Sequence, residues 1–508
     1  MKFPTRFVIY ILLCSVPFFY RLKWNGSGVF VSSDPEIKYY QVVHLLEGGN
    51  PEECYFPAKK IGFSLASIPI GYPWAFSLSD GRCLFQYPIL FTYLQWPMAV
   101  LFGPTSVTFL PILFFLINFL LLDRIFSQMN LSESKRILPV ILIQCFSPIF
   151  LSSLDYSELT LTNFFLLVSV STYLSYTKNF DYLLGALFTI AVVFTFNLRP
   201  EVTISIVFFL GFDFLFRRDH IHFLKKVWVI ALFAIFCESI FVFWNQSVFG
   251  HPLGMRGLSL LNDIGEGGSR NYLQDFVADL WKSDFKIGIF YGYPLLFLAL
   301  GSFLLVKEKS KLVFLVAGFV FLLSLPFLSP YRAGVGIFGM RYFESGIYLF
   351  LIGSFSIFAD RLNLKWFGLL LIPFLYFSYK SDLNAIKQWS SGAKMYRDVQ
   401  DQIDQLKPDL IVQRGLSISY FMGESYTKYP QITVYSQEDW IRVEEVSKSK
   451  NLKILYLEWK DNGLVKDEFS ERNWKNKFDI SFKLRPVNYK VRSEHKLAHF
   501  DGILLEVK

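Results

Sequence analysis

Charge is scarce in this 508-residue chain: Asp, Glu, Lys and Arg together make up 18% of it. Cysteine, with 5 residues, histidine, with 6, and methionine, with 7, are scarce too. With 53% apolar residues and so little charge, the chain would leave too much apolar surface in water as a single globule. It suits a lipid solvent instead. The cysteines and histidines show no zinc spacing, and there is no P-loop and no glycine-rich dinucleotide fingerprint. That argues against an ATP-driven pump. No internal repeat, low-complexity tract or long linker is present. The net charge of +8 does not point to nucleic acid, because Lys and Arg fall in short clusters between apolar runs. That is how a membrane protein sets its topology.

What the chain does have is aromatic residues, 57 of them Phe, and long apolar runs. Lys2 and Arg6 precede the first run, 7–20. A signal peptide begins in the same way, but Arg21-Leu22-Lys23-Trp24 follows with no small-x-small cleavage site. An uncleaved first helix with its N-terminus inside is the reading, and a cleaved signal is the alternative. Later runs long enough to span lie near 105–122, 137–153, 159–176, 183–198, 202–216, 227–243, 286–306, 312–329, 344–359 and 366–379. Basic residues close every second connection: Arg124 with Lys135 and Arg136, then Arg217, Arg218, Lys225 and Lys226. Lys307, Lys309 and Lys311 follow, then Arg361 with Lys365. The positive-inside rule then gives roughly eleven spans, an odd number that puts the C-terminus outside. Segment 87–103 is apolar enough to span, but counting it would move all four basic loops outside. It reads as a helix lying on the outer face, begun by Pro88 and interrupted by Pro97.

The expected organisation is a membrane domain over 1–379, with outer loops 21–104 and 244–285, and an extracytoplasmic domain over 380–508. The tail has short β-like runs at 410–412, 432–435, 454–457 and 503–507 between charged, helix-prone stretches. It reads as a small α/β soluble domain. Cys14, Cys145 and Cys237 sit in apolar spans as packing residues. Cys54 and Cys83 share the first outer loop. An oxidising compartment allows them to pair, and two free thiols are the alternative. Two sequons, at Asn25 and Asn245, are matches common by chance.

Ionisable groups at a membrane edge are costly unless they serve a site. On this topology several gather on the outer face. Asp34 and Glu36 follow the first span in Ser32-Ser33-Asp34-Pro35-Glu36-Ile37-Lys38-Tyr39-Tyr40. Asp155 and Glu158 occupy one short turn, and Arg199 and Glu201 flank Pro200 in the next. Arg332 follows Ser329-Pro330-Tyr331, and Arg341-Tyr342 precede the span that begins at Glu344. Each has a plain reading: solvated loop carboxylates, a turn kept wet, arginines snorkelling to headgroups. Together they suggest a base and an anion clamp. A carboxylate can take a proton from a hydroxyl nucleophile, and arginines can hold a phosphate bidentately as it leaves.

Three patterns resemble the GT-C superfamily of polytopic glycosyltransferases, which includes protein O-mannosyltransferases and bacterial aminoarabinose transferases. The first is Asp34-Pro35-Glu36 with Tyr39-Tyr40 and then Leu46-Glu47-Gly48-Gly49. The second is Gln86-Tyr87-Pro88-Ile89-Leu90 running to Leu101-Phe102-Gly103, then an apolar span closing on Leu122-Asp123-Arg124. The third is Arg341-Tyr342 before a late span. Pro35 between the acids departs from the family's pattern, as does Ile89 where a second proline stands. Asp34 is the better match to the family's catalytic Asp.

The resemblance implies a GT-C-like, α-helical polytopic fold. It implies a glycosyltransferase of the cell envelope, in the inner membrane of a bacterium. Such an enzyme takes a sugar from a polyprenyl-phosphate carrier and passes it to an acceptor hydroxyl on the outer face, usually with inversion. Asp34 would be the general base, with Glu36 positioning the acceptor or sharing the proton. Arg199, Arg332 and Arg341 would hold the lipid phosphate. Membrane lipids are partners and nucleic acid is not. No cofactor is expected, and a divalent metal is left open. Two rivals remain. A transporter or flippase predicts functional charges mid-span and paired broken helices. A non-catalytic assembly protein would use the tail as a binding module.

Overall fold

The computed structural model describes residues 3–25, 33–70, 74–77, 81–217, 219–255, 272–281, 288–328, 341–361, 364–414, 422–459, 486, 488–497 and 500–508. Arg332, much of loop 244–285 and most of the first sequon lie outside them.

The helices begin with α1 (Phe3–Asn25), α2 (Ser33–Leu46), α3 (Ile89–Phe102), α4 (Leu110–Gln128), α5 (Glu133–Cys145) and α6 (Ile149–Ser152). Next come α7 (Leu159–Asn179), α8 (Tyr182–Leu198), α9 (Pro200–Phe216), α10 (His220–Phe249), α11 (Tyr272–Leu280) and α12 (Ile289–Gly292). The last are α13 (Leu295–Leu300), α14 (Lys309–Leu328), α15 (Glu344–Arg361), α16 (Leu364–Leu406), α17 (Glu424–Lys428) and α18 (Gln437–Ser449). The strands are β1 (Ala75–Ser77), β2 (Cys83–Phe85), β3 (Leu410–Arg414), β4 (Gln431–Val434), β5 (Ile454–Trp459), β6 (Tyr489–Leu497) and β7 (Phe500–Val507). The chain divides into two compact units: Met1–Arg21 with Thr108–Lys387, and Leu22–Val107 with Gln388–Lys508. The division at Lys387 falls inside α16, beyond the 379/380 boundary read from composition.

The first unit is a helical bundle. Among the described residues, six helices of the chain are long and apolar enough to cross a membrane. Shorter apolar helices add to them, Tyr182–Leu198 among these. Two expected spans are broken. The run 137–153 divides into α5 and α6, because Pro148 offers no N–H to continue the ladder. Ser147 instead turns its hydroxyl back onto the Ile143 carbonyl at 2.6 Å. The run 286–306 divides into α12, α13 and a 3-10 turn at Gly301–Leu304, with Gly292 and Pro294 at the break.

Helix α15 is the centre of the bundle, buried from Glu344 to Ala359. Apart from Glu344 and three serines that stretch is apolar all round, as suits a helix with neighbours on every side. Helix α14 comes against it closely enough that a Cβ on Gly318 would lie 2.2 Å from the Phe350 backbone nitrogen. One on Gly353 would lie 2.7 Å from that of Leu315. Small residues let backbones approach where lipid offers no hydrophobic drive to bring helices together.

The second unit combines α2, α3 and a five-stranded sheet of order β4-β3-β5-β7-β6. Strand β3 pairs parallel with β4 and β5, while β5, β7 and β6 pair antiparallel. The four runs read as β-like fall on strands, 432–435 overrunning β4 by one residue, since buried strands are continuous in apolar residues. Strand β6 had no such signal. Helix α3 runs straight through Pro97, where an interruption was expected. A short hairpin, β1 with β2, pairs Ala75 to Phe85 and Ser77 to Cys83. A disulfide joins Cys54 to Cys83, 29 positions apart in sequence, with Cα atoms 5.3 Å apart. Closing a loop of that length stabilises by about 3–4 kcal/mol in the chain-entropy model.

Candidate active site

In the second unit, the segment after the first span is helical, and this decides where its acids point. Helix α2 begins at Ser33, so Asp34 and Glu36 lie two positions apart and face different ways. Asp34 is half-buried. Its Oδ1 accepts hydrogen bonds from Trp74 Nε1 at 3.1 Å and Tyr87 O–H at 2.6 Å. Lys38, one turn on, is buried with its Nζ 4.8 Å from the centre of the Tyr87 ring.

Glu36 turns inward and is 2% exposed. Its Oε1 accepts the Gly423 backbone N–H. The Gly423 carbonyl in turn accepts Tyr40 O–H at 3.3 Å, so one peptide residue is gripped from both sides. Tyr40 packs on Tyr426, ring centres 4.4 Å apart, and Tyr426 O–H donates to the Tyr55 carbonyl at 2.8 Å. Burial pushes the Glu36 carboxyl well above the ordinary glutamate range, against the opposing pull of the Gly423 and Tyr40 hydrogen bonds.

In the first unit, five of the residues singled out from sequence come together. Arg199 Nε lies 3.4 Å from Glu158 Oε1 and 3.1 Å from Glu201 Oε1. Its guanidinium is 5.1 Å from the Tyr342 ring centre, and that of Arg341 is 5.2 Å from the same ring. Two cations on one ring is a cation–π arrangement in which the ring's electron-rich faces offset part of their repulsion. Arg199 is fixed locally by Pro200, which begins α9 immediately after it.

Asp155 lies on the same turn as Glu158. It is buried and faces the charge of Arg21. Arg21, 1% exposed, donates to the Leu154 carbonyl at 2.8 Å and the Thr108 carbonyl at 3.2 Å. It therefore ties the end of α1 to the start of α4 and to the turn that carries Asp155 and Glu158.

Sequence reading missed four residues here. Arg21 reads only as part of the flank that lacks a cleavage site, and Glu344 as the edge of a span. Glu344 is in fact buried, accepting Ser152 Oγ and, at 2.6 Å, Asn163 Nδ2. Trp74 carried no signal, and Tyr87 was noted only as part of a motif. Among the described residues no group of three or more His, Cys, Asp or Glu could hold a metal ion.

The fold is that of a polytopic helical membrane protein with a small α/β domain. The chain is similar to a solved structure, ArnT from Cupriavidus metallidurans in the apo state. The likeness covers 98% of this chain and 97% of that one, with a TM-score of 0.53 and 10% sequence identity. No family model matches the sequence, and no curated protein matches it.

Proposed function

We propose that this protein is a membrane glycosyltransferase that moves a sugar from a polyprenyl-phosphate carrier to an acceptor hydroxyl. The observation that carries the reading is Asp34, a half-buried carboxylate just after the first span, whose Oδ1 accepts from Trp74 and Tyr87 in an ArnT-like fold. Asp34 takes the proton of the acceptor hydroxyl while that oxygen bonds to the anomeric carbon. The bond from the anomeric carbon to the carrier's phosphate oxygen breaks, and the phosphate leaves with the electron pair. Of the arginines read from sequence, Arg199 and Arg341 meet at the Tyr342 ring within the first unit, and guanidinium groups are suited to neutralise charge that grows on phosphate oxygens. Glu36, buried on Gly423, is assigned to holding α2 rather than to the acceptor.

The expected result is measurable in vesicles. Protein reconstituted with radiolabelled polyprenyl-phosphate pentose or hexose should move label to a hydroxyl acceptor from envelope extracts. Carrier left intact across the whole panel of donors and acceptors would sink the reading.

The same reading puts the N-terminus in the cytoplasm and the second unit outside a bacterial cell membrane. Support comes from the disulfide, because that unit holds Cys54–Cys83 and such bonds persist in oxidising compartments. Lys496→Cys, on the exposed part of β6, should react with an impermeant maleimide in intact cells. Labelling only after permeabilisation would reverse the orientation.

A further inference from the structure

We infer that Tyr87 and Trp74 are positioning residues that aim the Asp34 carboxylate. The inference rests on the reading of Asp34 as the base. Both donors end on one oxygen, Oδ1, at 2.6 Å from Tyr87 and 3.1 Å from Trp74. Two hydrogen bonds from different directions to a single carboxylate oxygen fix the plane of the group. They thereby fix the direction of the second oxygen, Oδ2, as well.

The hairpin explains why these two side chains arrive together. Trp74 stands just before β1 and Tyr87 just after β2. Antiparallel pairing of Ala75 with Phe85 brings those two ends side by side, and Gln86 N–H donates to the Trp74 carbonyl at 3.1 Å. The hairpin is held on its other side by the Cys54–Cys83 bond and by the pairing of Glu53 with Leu84. Tyr87 is further fixed by Pro88, whose φ of -64° leads into α3, and by Lys38 over its ring. The donors thus sit on a braced frame, as a group that must hold a reacting atom within a fraction of an ångström should.

A positioning role and a structural one differ in what their loss changes. Tyr87→Phe keeps the ring beneath Lys38 and removes only the hydroxyl, and Trp74→Phe removes the indole N–H. Each is expected to lower kcat about 10-fold while leaving KM for the carrier within about twofold. The melting temperature of the purified protein should not move. The double variant should lose more than either single one.

Wild-type kcat in both single variants would overturn the inference. So would a fall in kcat that comes with a matching rise in KM and a lower melting temperature, because that pattern is structural. If Tyr87→Phe does not fold, Trp74→Phe reads the second bond to the same oxygen and decides the matter by the same criteria. Asp34→Asn separates this from the underlying reading. Slow transfer by Asp34→Asn beside wild-type rates in both donor variants removes the positioning role alone. Wild-type transfer by Asp34→Asn removes both.

Discussion

Asp34→Asn is expected to lower the rate of sugar transfer by about 10²–10⁴, the usual contribution of a positioned general base. The amide keeps the shape of the carboxylate and can still accept from Tyr87 and Trp74, so the hairpin contacts survive in the variant. What is lost is proton affinity at the moment the acceptor oxygen attacks. Single-turnover transfer from a labelled carrier, on protein shown to be folded and membrane-inserted, is the measurement. A wild-type rate removes Asp34 from the chemistry. Should Glu36→Gln be inactive and Asp34→Asn active, the base lies on the other side of Pro35. The buried grip of Glu36 on Gly423 argues for the opposite outcome.

Arg21→Met is expected to destabilise the first unit by about 3–5 kcal/mol, the cost of breaking a buried charge pair from one side. The methionine fills similar space but takes the Arg21 donor from the Leu154 and Thr108 carbonyls and its charge from Asp155. Arg21→Lys should lose less, because it keeps the charge while giving up the fork that reaches two carbonyls at once. Chemical unfolding in detergent compares the three proteins. A loss below about 1 kcal/mol for Arg21→Met would show that Arg21 is only a topology signal, since surface-type charges are worth no more than that.

Both residues show which parts of this molecule could be read in advance. Apolar runs announce helices because lipid and core alike demand them, and the buried strands β3, β4 and β5 announce themselves in the same way. Strand β6 does not. It is an edge, largely exposed, and Lys490, Arg492 and Lys496 along it are the charges that keep an edge from pairing with other chains. Those charges erase the pattern by which a strand is recognised. The break at Pro148 was written in the sequence, but an apolar run conceals it when length alone is counted.

The site was legible as a set of residue types and hardly at all as a set of contacts. Glu158, Arg199, Glu201, Arg341 and Tyr342 were named from span ends and do meet. Asp34 and Glu36 looked like a pair because the segment was treated as loop. Once α2 starts at Ser33, a spacing of two sends them to different faces. The partners of Asp34 lie 40 and 53 positions away, and those of Arg21 lie 87 and 133. No local period encodes pairings of that length.

The grip on Gly423 also bears on when the protein matures. Glu36 and Gly423 are 387 positions apart. At translation rates of about 5–20 residues per second, on the order of 20–80 s separates their synthesis. Throughout that interval α2 lacks the peptide whose N–H its buried carboxylate accepts. A nascent or prematurely released chain therefore carries Asp34 on an unfinished helix. The start of α2 thus waits for a segment made late in the chain before its buried carboxyl is satisfied.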